Sequence, residues 1–183
     1  MNRTKILKTV TIALFAALIA VGAFIKIPLP PVPITLQTLF TLLAGLLLPL
    51  SISTSSLLVY IFLGAIGLPI FASGGGIAAL TGPTGGYIIG LLPAVIVAGL
   101  MLKKDKQYSF GYYLLVSFVA TVAIYIPGLF WLGFSRHLTI SQTLAGGLTP
   151  FIIGDVLKMV VSSIVAYKLH GYVTKMLTES EEE

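Results

Sequence analysis

Long apolar runs bounded by charged residues constrain this chain more than any other feature of its sequence. The first run lies between Lys8 and Lys26 and is longer than the apolar core of a typical signal peptide. Only 9% of the residues are charged, whereas ordinary soluble domains carry about 25%, and 57% of the residues are hydrophobic. Because so few charges cannot cover the surface of a water-soluble fold, the sequence predicts an integral membrane protein.

The apolar runs divide into six predicted membrane helices, judged against the ~20 residues that span a bilayer. Pro49 and the serine-rich stretch after it split one overlong run into two short helices, which must lie partly within protein or thin the membrane. We therefore predict an all-α bundle of six transmembrane helices, a single domain over residues 1–176 followed by an acidic tail at 177–183. The predicted helices cover residues 9–25, 35–49, 53–66, 83–102, 112–134 and 144–169.

The basic residues indicate how this bundle is oriented. If the N-terminus lies inside, the internal segments hold eight of the 11 lysines and arginines, and the external segments hold Lys26 and Arg136. Because cytoplasmic segments of membrane proteins are enriched in these residues, both termini are predicted to be cytoplasmic and the chain to lie in the cell membrane. The net charge of +5 then reflects orientation, and no nucleic-acid-binding surface is expected.

Two of the predicted external segments, residues 25–38 and 67–86, are rich in proline and glycine but poor in charge. Plain aqueous loops are usually more polar. Irregular backbone at membrane depth is tolerated where it is buried in protein or lines a cavity, so we expect the two segments to form a lid and an outer cavity wall. The alternative is that both are apolar loops at the membrane interface. No helix is predicted between residues 67 and 82, where the sequence lacks helical start and stop signals.

Asp155 and Lys158 are the two charged residues that lie away from the ends of a predicted membrane helix. A charge at a helix centre costs about 2.5–3.5 kcal/mol even on insertion scales, so such residues commonly mark functional sites. Their spacing places both on one face of the last helix, and the neighbouring Pro150 and Gly154 leave space beside them. We therefore predict a site for a polar, roughly neutral head group. The alternative is a buried ion pair that only satisfies itself.

The segment Gly82-Pro83-Thr84-Gly85-Gly86-Tyr87 opens the fourth predicted helix. Proline suits the first position of a helix, which leaves the amides of Thr84, Gly85 and Gly86 available to a ligand carboxylate. Tyr87 is a further candidate contact. The alternative is a helix start whose glycines pack against a neighbouring helix. The chain lacks the GK[ST] phosphate-binding loop, so no ATP site is expected in it.

Other polar and small residues add candidate positions. Thr35 is predicted to cap the second helix, and Gln37 and Thr38 are expected to face inward, because a lipid-facing helix would be apolar at these positions. A stripe of small residues on the first helix would let another helix approach closely, from a partner or from the same bundle. The stripe consists of Ala13, Ala16, Ala17 and Ala20. The chain has no cysteine and its two histidines lack metal-ligand spacing, so no metal site is expected.

Four motifs follow one another along the chain. They are PxxPVPxTLQT, GLPxFAxGGG, GPTGGY and PFxxGDxxK, found at Pro28–Thr38, Gly67–Gly76, Gly82–Tyr87 and Pro150–Lys158. The set covers nearly the whole chain and closely resembles the BioY family, the biotin-specific substrate-capture subunits (S components) of energy-coupling factor transporters. One departure is the stretch Gly76–Leu80, where the family leads us to expect a second glycine and in some members a polar residue, so no ligand contact is inferred for residues 77–79.

The resemblance implies a six-helix bundle that binds biotin near the outer face, with no catalytic activity and no cofactor. It also implies three partner subunits, a transmembrane coupling subunit and two ATP-binding cassette ATPases, with the coupling subunit docked on Ala13 and Ala17 and with Ala16 and Ala20 as further candidates for this surface. Biotin would be the transported substrate. Asp155 would accept its ureido N–H bonds, Lys158 would donate to the ureido oxygen or the carboxylate, and the amides of residues 84–86 would bind the carboxylate.

A self-sufficient secondary transporter for biotin or a related small carboxylated solute is the alternative function. Such a transporter usually needs several intramembrane acids for proton or sodium coupling, and this chain has one, Asp155. An intramembrane enzyme is not expected, because the sequence contains neither a His-Glu cluster nor a GxSxG motif.

Overall fold

The computed structural model describes residues 3–103 and 106–178. These ranges form eight α-helices, so the predicted all-α fold is confirmed. The helices are α1 (Arg3–Phe24), α2 (Gln37–Leu47), α3 (Leu50–Ala65), α4 (Ile77–Thr81), α5 (Gly85–Met101), α6 (Phe110–Arg136), α7 (Ile140–Gly147) and α8 (Ile152–Thr178). Most of the predicted acidic tail, residues 179–183, lies outside the described residues.

Three helical stretches are long and apolar enough to cross a membrane, namely Lys5–Phe24, Phe110–Arg136 and Ile140–Leu177. Helices α2, α3 and α5 are also apolar but shorter than a bilayer is thick. The chain is therefore a multi-pass membrane protein, as the sequence predicts. Six crossings and two cytoplasmic termini remain predictions.

The last predicted helix is wrong at its N-terminal end. The sequence predicts one helix over 144–169, but α7 is followed by a 3₁₀ turn at Thr149–Phe151 before α8 begins. Leu148 leaves the helical backbone conformation (φ −126°, ψ −56°), and Pro150 has no N–H with which to continue a helix. Asp155 consequently lies in the first turn of α8, where the helix dipole favours a negative charge.

The two outer segments contain more regular structure than the sequence predicts. In residues 25–38, strand β1 (Lys26–Ile27) pairs antiparallel with strand β2 (Ile34–Thr35). In residues 67–82, the expectation that no helix forms is wrong, because α4 begins directly after Gly76. This glycine has a φ of 80°, which L-residues rarely adopt, and its N–H donates to the carbonyl of Gly64 at 2.7 Å. The glycine-rich segment is thus fixed onto the end of α3.

Helix α2 lies inside the bundle and packs against α1, α5 and α8. Seven of its 11 residues are buried, so its short length is accommodated by surrounding protein. On its far side, α5 and α6 approach each other closely, because a Cβ at Gly90 of α5 would lie 2.7 Å from the carbonyl oxygen of Ile124 in α6. These contacts bring polar residues of α2, α5, α6 and α8 around one space.

Candidate ligand-binding site

A cavity lies between α2, α5, α6 and α8, where the two outer segments meet the bundle. Its empty volume is about 600 Å³, a figure that includes open space at its mouth. Apolar side chains such as Val32, Ile124 and Phe151 form part of its wall. The polar lining residues are Thr35, Gln37, Thr38, Thr84, Tyr87, Tyr125, Asp155 and Lys158.

The charged side of the cavity is formed by α8. Asp155 and Lys158 are 7% and 6% exposed, and the Lys158 Nζ donates to Asp155 Oδ1 at 2.9 Å. The two side chains therefore face the bundle interior and border the cavity, as their spacing predicts. Although the ion pair satisfies itself in part, it lies against open space, so both groups can still reach a ligand.

Tyr125 is a polar lining residue that sequence reasoning missed. Its hydroxyl donates to the Oδ2 of Asp155, so a different donor engages each carboxylate oxygen. The residue lies in the middle of α6, where an aromatic side chain reads as ordinary membrane-helix composition. One signal in the sequence could have identified it. A tyrosine hydroxyl within an apolar membrane helix needs a buried hydrogen-bond partner, and Asp155 is a buried acid that can accept its hydrogen bond.

Tyr87, which the sequence singles out, lies beside Tyr125. Their ring centroids are 6.0 Å apart at an interplanar angle of 84°, which is an edge-to-face contact. The Tyr87 hydroxyl donates to the carbonyl of Gly147 at 2.8 Å, and a Cβ at Gly147 would lie 2.5 Å from that hydroxyl oxygen. This contact ties the start of α5 to the end of α7. Tyr87 thus offers its ring to the cavity, while its hydroxyl is engaged.

The uncharged side of the cavity is formed by the start of α2. Gln37 is 6% exposed and faces inward as predicted, and its Nε2 donates to the hydroxyl of Tyr60 at 3.0 Å. The prediction that Thr35 is the N-cap is wrong by one residue, because Leu36 occupies that position and Thr35 belongs to strand β2. The Thr35 hydroxyl nevertheless accepts from the N–H of Gln37 at 3.3 Å. Thr38 lines the same side.

Gly85 and Gly86, the paired glycines of GPTGGY, do not line the inner cavity. A Cβ at Gly85 would overlap the carbonyl of Leu80, and one at Gly86 would overlap the carbonyl of Pro127 in α6. The N–H of Gly85 also donates to the carbonyl of Gly82 at 3.0 Å. Close packing against neighbouring backbone, the alternative stated for this motif, therefore describes both glycines. Of the four candidate residues in this motif, Thr84–Tyr87, only Thr84 and Tyr87 line the inner cavity.

A second cavity, with an empty volume of about 950 Å³, lies between the two outer segments and shares Pro33, Ala72 and Thr84 with the first. It forms the mouth of the inner cavity, as expected if these segments make a lid and a wall. The Lys26 Nζ donates to the carbonyl of Ala72 at 2.6 Å and so bridges the two segments. Residues 77–79 stay outside the inner cavity, although Ala78 and Ala79 line the outer one.

The alanine stripe on α1 divides into two faces. Ala13 and Ala17 are exposed, whereas Ala16 is 6% exposed and Ala20 packs against the core of the bundle. Packing within the bundle therefore accounts for the second pair. The first pair remains a surface that another helix could approach closely.

Comparisons with known proteins agree with this architecture. The family model described as the BioY family matches residues 1–175. A biotin transporter BioY of Thermotoga maritima is 41% identical over 157 residues, which is 85% of this chain and 91% of that protein. A probable biotin transporter BioY of Pyrococcus horikoshii is 41% identical over 161 residues, 87% of this chain and 94% of that protein.

A solved structure is similar over almost the same extent. The crystal structure of the S-component for biotin from an ECF-type ABC transporter matches with a TM-score of 0.83 at 31% identity, covering 92% of this chain and 93% of that one. Sequence motifs, family model, relatives and fold therefore agree. The chain belongs to the BioY family.

Proposed function

We propose that the chain is the biotin-capturing subunit of an energy-coupling factor transporter. The observation that carries this proposal is the buried Asp155–Lys158 pair, which borders a cavity instead of being enclosed by packed side chains. The relatives are called biotin transporters, and the similar crystal structure is that of a biotin S-component. High-affinity binding of biotin in this cavity would be the chain's own task.

The charged side of the cavity suits the ureido group of biotin. Each oxygen of Asp155 accepts one hydrogen bond within the protein, and a carboxylate oxygen can accept two, so the group can still accept a ligand N–H. The Lys158 Nζ donates one of its three hydrogens to Asp155. Its other two are available for the ureido oxygen or for the carboxylate of biotin. The apolar lining would contact the bicyclic ring.

The GPTGGY motif contributes to the proposed site chiefly through Thr84. Its side chain is 6% exposed, borders both cavities, and has its hydroxyl 3.0 Å from that of Ser73. We therefore assign it to the carboxylate end of the ligand, near the mouth. Gly85 and Gly86 would support this position by close packing rather than by donating to the ligand.

The two outer segments would close the site. The Lys26–Ala72 hydrogen bond joins them, and they line the mouth of the cavity on both sides. They would therefore limit the access of water to a ligand in the site. Excluding water strengthens the charged hydrogen bonds beneath, because the local dielectric constant falls. In this proposal, the segments act as the lid and the outer wall of the site.

Transport itself would depend on other subunits. The sequence has no phosphate-binding loop, so we propose that a transmembrane coupling subunit and two ABC ATPases supply the energy. Ala13 and Ala17, which are exposed on α1, would form the docking surface for the coupling subunit. Both termini would then be cytoplasmic, with the bundle in the cell membrane.

Binding of labelled biotin to the detergent-purified chain tests this function. We expect tight binding of one biotin per chain, displaced by biotin and not by unrelated vitamins. A folded chain that binds no biotin would overturn the proposal. Uptake by the chain alone, abolished by an uncoupler, would instead favour the self-sufficient secondary transporter.

A further inference from the structure

Tyr60 lies on α3 outside the cavity wall, and its hydroxyl joins two partners. The residue is fully buried, donates to the carbonyl of Ile70 at 3.2 Å, and lies 3.0 Å from the Nε2 of Gln37. A carbonyl oxygen can only accept, so the single proton of the hydroxyl is committed to Ile70. The hydroxyl can therefore only accept from Gln37, and the group that faces it must be the amide NH₂.

The carbonyl of Ile70 is itself held in place by the glycine-rich segment. The next residue, Phe71, is 2% exposed and exchanges two backbone hydrogen bonds with Gly74, at 2.8 and 3.0 Å. Its ring lies over Gly64, where a Cβ would overlap it, and contacts the Tyr60 ring edge-to-face at 5.4 Å. The direction of the Gln37 carboxamide is thus fixed from the outer segment through Tyr60.

The opposite end of this carboxamide is its oxygen, Oε1. Gln37 lines the cavity, and within the described ranges 3–103 and 106–178 this oxygen accepts no hydrogen bond. Although Gln37 is buried as a residue, this oxygen is open to the cavity, so a ligand that supplies an N–H can meet it there. The hydroxyls of Tyr125 and Tyr87 cannot serve, because they donate to Asp155 and Gly147.

We propose that Tyr60 is a positioning residue that turns the Gln37 oxygen towards the ligand, so that α2 selects an N–H at this point. This inference rests on the proposed function and refines it. A cyclic urea carries one N–H on each flank of its C=O group. Asp155 would accept one of them from α8, and Gln37 would accept the other from α2. The neutral side of the cavity would thereby distinguish a urea from head groups that lack the second N–H.

Three variants of the full-length, detergent-purified chain test the proposal through their affinity for biotin. Gln37→Met removes the acceptor and should weaken binding on the order of 10- to 100-fold. Tyr60→Phe should weaken binding less than Gln37→Met, and should add nothing further in the Gln37→Met background, because Tyr60 acts through Gln37.

A matched control is Tyr112→Phe, whose hydroxyl donates to the carbonyl of Met101, away from the cavity; its affinity should equal that of the wild type. A Gln37→Met chain that binds biotin like the wild type would overturn the inference alone, because the Gln37 oxygen would then not meet the ligand. Additive effects of Tyr60→Phe and Gln37→Met would do the same. A folded wild-type chain that binds no biotin would overturn the proposed function, and this inference with it.

Discussion

The two polar sides of the cavity are built in different ways. On α8, Asp155 and Lys158 are one helical turn apart, form an ion pair at 2.9 Å, and need only Tyr125 from another helix. On α2, Gln37 bonds to Tyr60, which is 23 residues further along the chain and bonds in turn to Ile70 of the glycine-rich segment. The α8 side is thus charged and formed mainly by two residues close in sequence. The α2 side is neutral and is linked through Tyr60 to the glycine-rich segment at the mouth of the cavity.

This difference separates two contributions to binding. Removing one member of a buried ion pair leaves an uncompensated charge, which costs about 3–5 kcal/mol, whereas a neutral buried group left without its partner costs about 1–3 kcal/mol. We therefore expect the α8 side to dominate affinity. The α2 side would contribute less affinity and more selectivity, and would be sensitive to the position of the outer segment.

The largest expected effect comes from Lys158→Met. The variant leaves Asp155 buried without its cation and removes the donor proposed for the ligand, so biotin affinity should fall by about 100-fold or more. Isothermal titration of the purified chain measures the change. The control is Lys168→Met, an exposed lysine of the same helix, which should bind like the wild type. Unchanged affinity in Lys158→Met would mean that the charged residues of α8 do not bind the ligand.

Gly86→Ala should act on stability rather than on binding. The added Cβ would overlap the carbonyl of Pro127 and press on Trp131 of α6, and such overpacking typically costs about 1–3 kcal/mol. The thermal midpoint in detergent should fall, while the remaining folded chain binds biotin. In Gly111→Ala the new Cβ meets no atom within 4 Å, so this control should melt like the wild type. Weakened binding at unchanged stability would restore Gly86 as a ligand contact.

Tyr125→Phe should have a smaller effect. It removes the hydrogen bond to one oxygen of Asp155 but leaves Lys158 on the other, so we expect a five- to tenfold loss of affinity, about 1 kcal/mol. Equilibrium binding of labelled biotin measures it. Tyr167→Phe, on the exposed face of α8, is the matched control. A loss as large as that of Lys158→Met would mean that Tyr125 itself holds the ligand.

The smallest effect is expected at the mouth. Lys26→Met removes the hydrogen bond to the carbonyl of Ala72 that bridges the two outer segments. Because Lys26 is exposed, equilibrium affinity should change by no more than about threefold, while biotin should dissociate faster. Stopped-flow displacement measures this rate, with Lys103→Met as the control. An unchanged dissociation rate would mean that the Lys26–Ala72 hydrogen bond does not help to keep the site closed.

The charged side could be predicted from the sequence, but the neutral side could be predicted only in part. Asp155 and Lys158 stand out because charges are costly in an apolar helix, and their spacing alone gives a shared face. The inward direction of Gln37 followed from its polarity. Its partner Tyr60 could not be predicted, because a tyrosine in an apolar helix gives no sign of which distant carbonyl fixes its proton.

The sequence-based predictions are wrong where a glycine or a proline can serve more than one structural role. The GPTGGY glycines could have served ligand approach or helix packing, and only the positions of Leu80 and Pro127 decide for packing. The break between α7 and α8 was missed because residues 144–169 are apolar on both sides of Pro150. Apolar composition gives the membrane class and the helical content, but it does not give the point at which a helix is interrupted.

A structure of the chain with biotin bound tests the central claim most directly. We predict one biotin in the inner cavity, with its ureido group within hydrogen-bond distance of Asp155 on α8 and of Gln37 on α2, and with Lys158 donating to the ligand. Biotin held only between the outer segments, with the Asp155–Lys158 pair untouched, would contradict the account. The ion pair would then serve the fold alone.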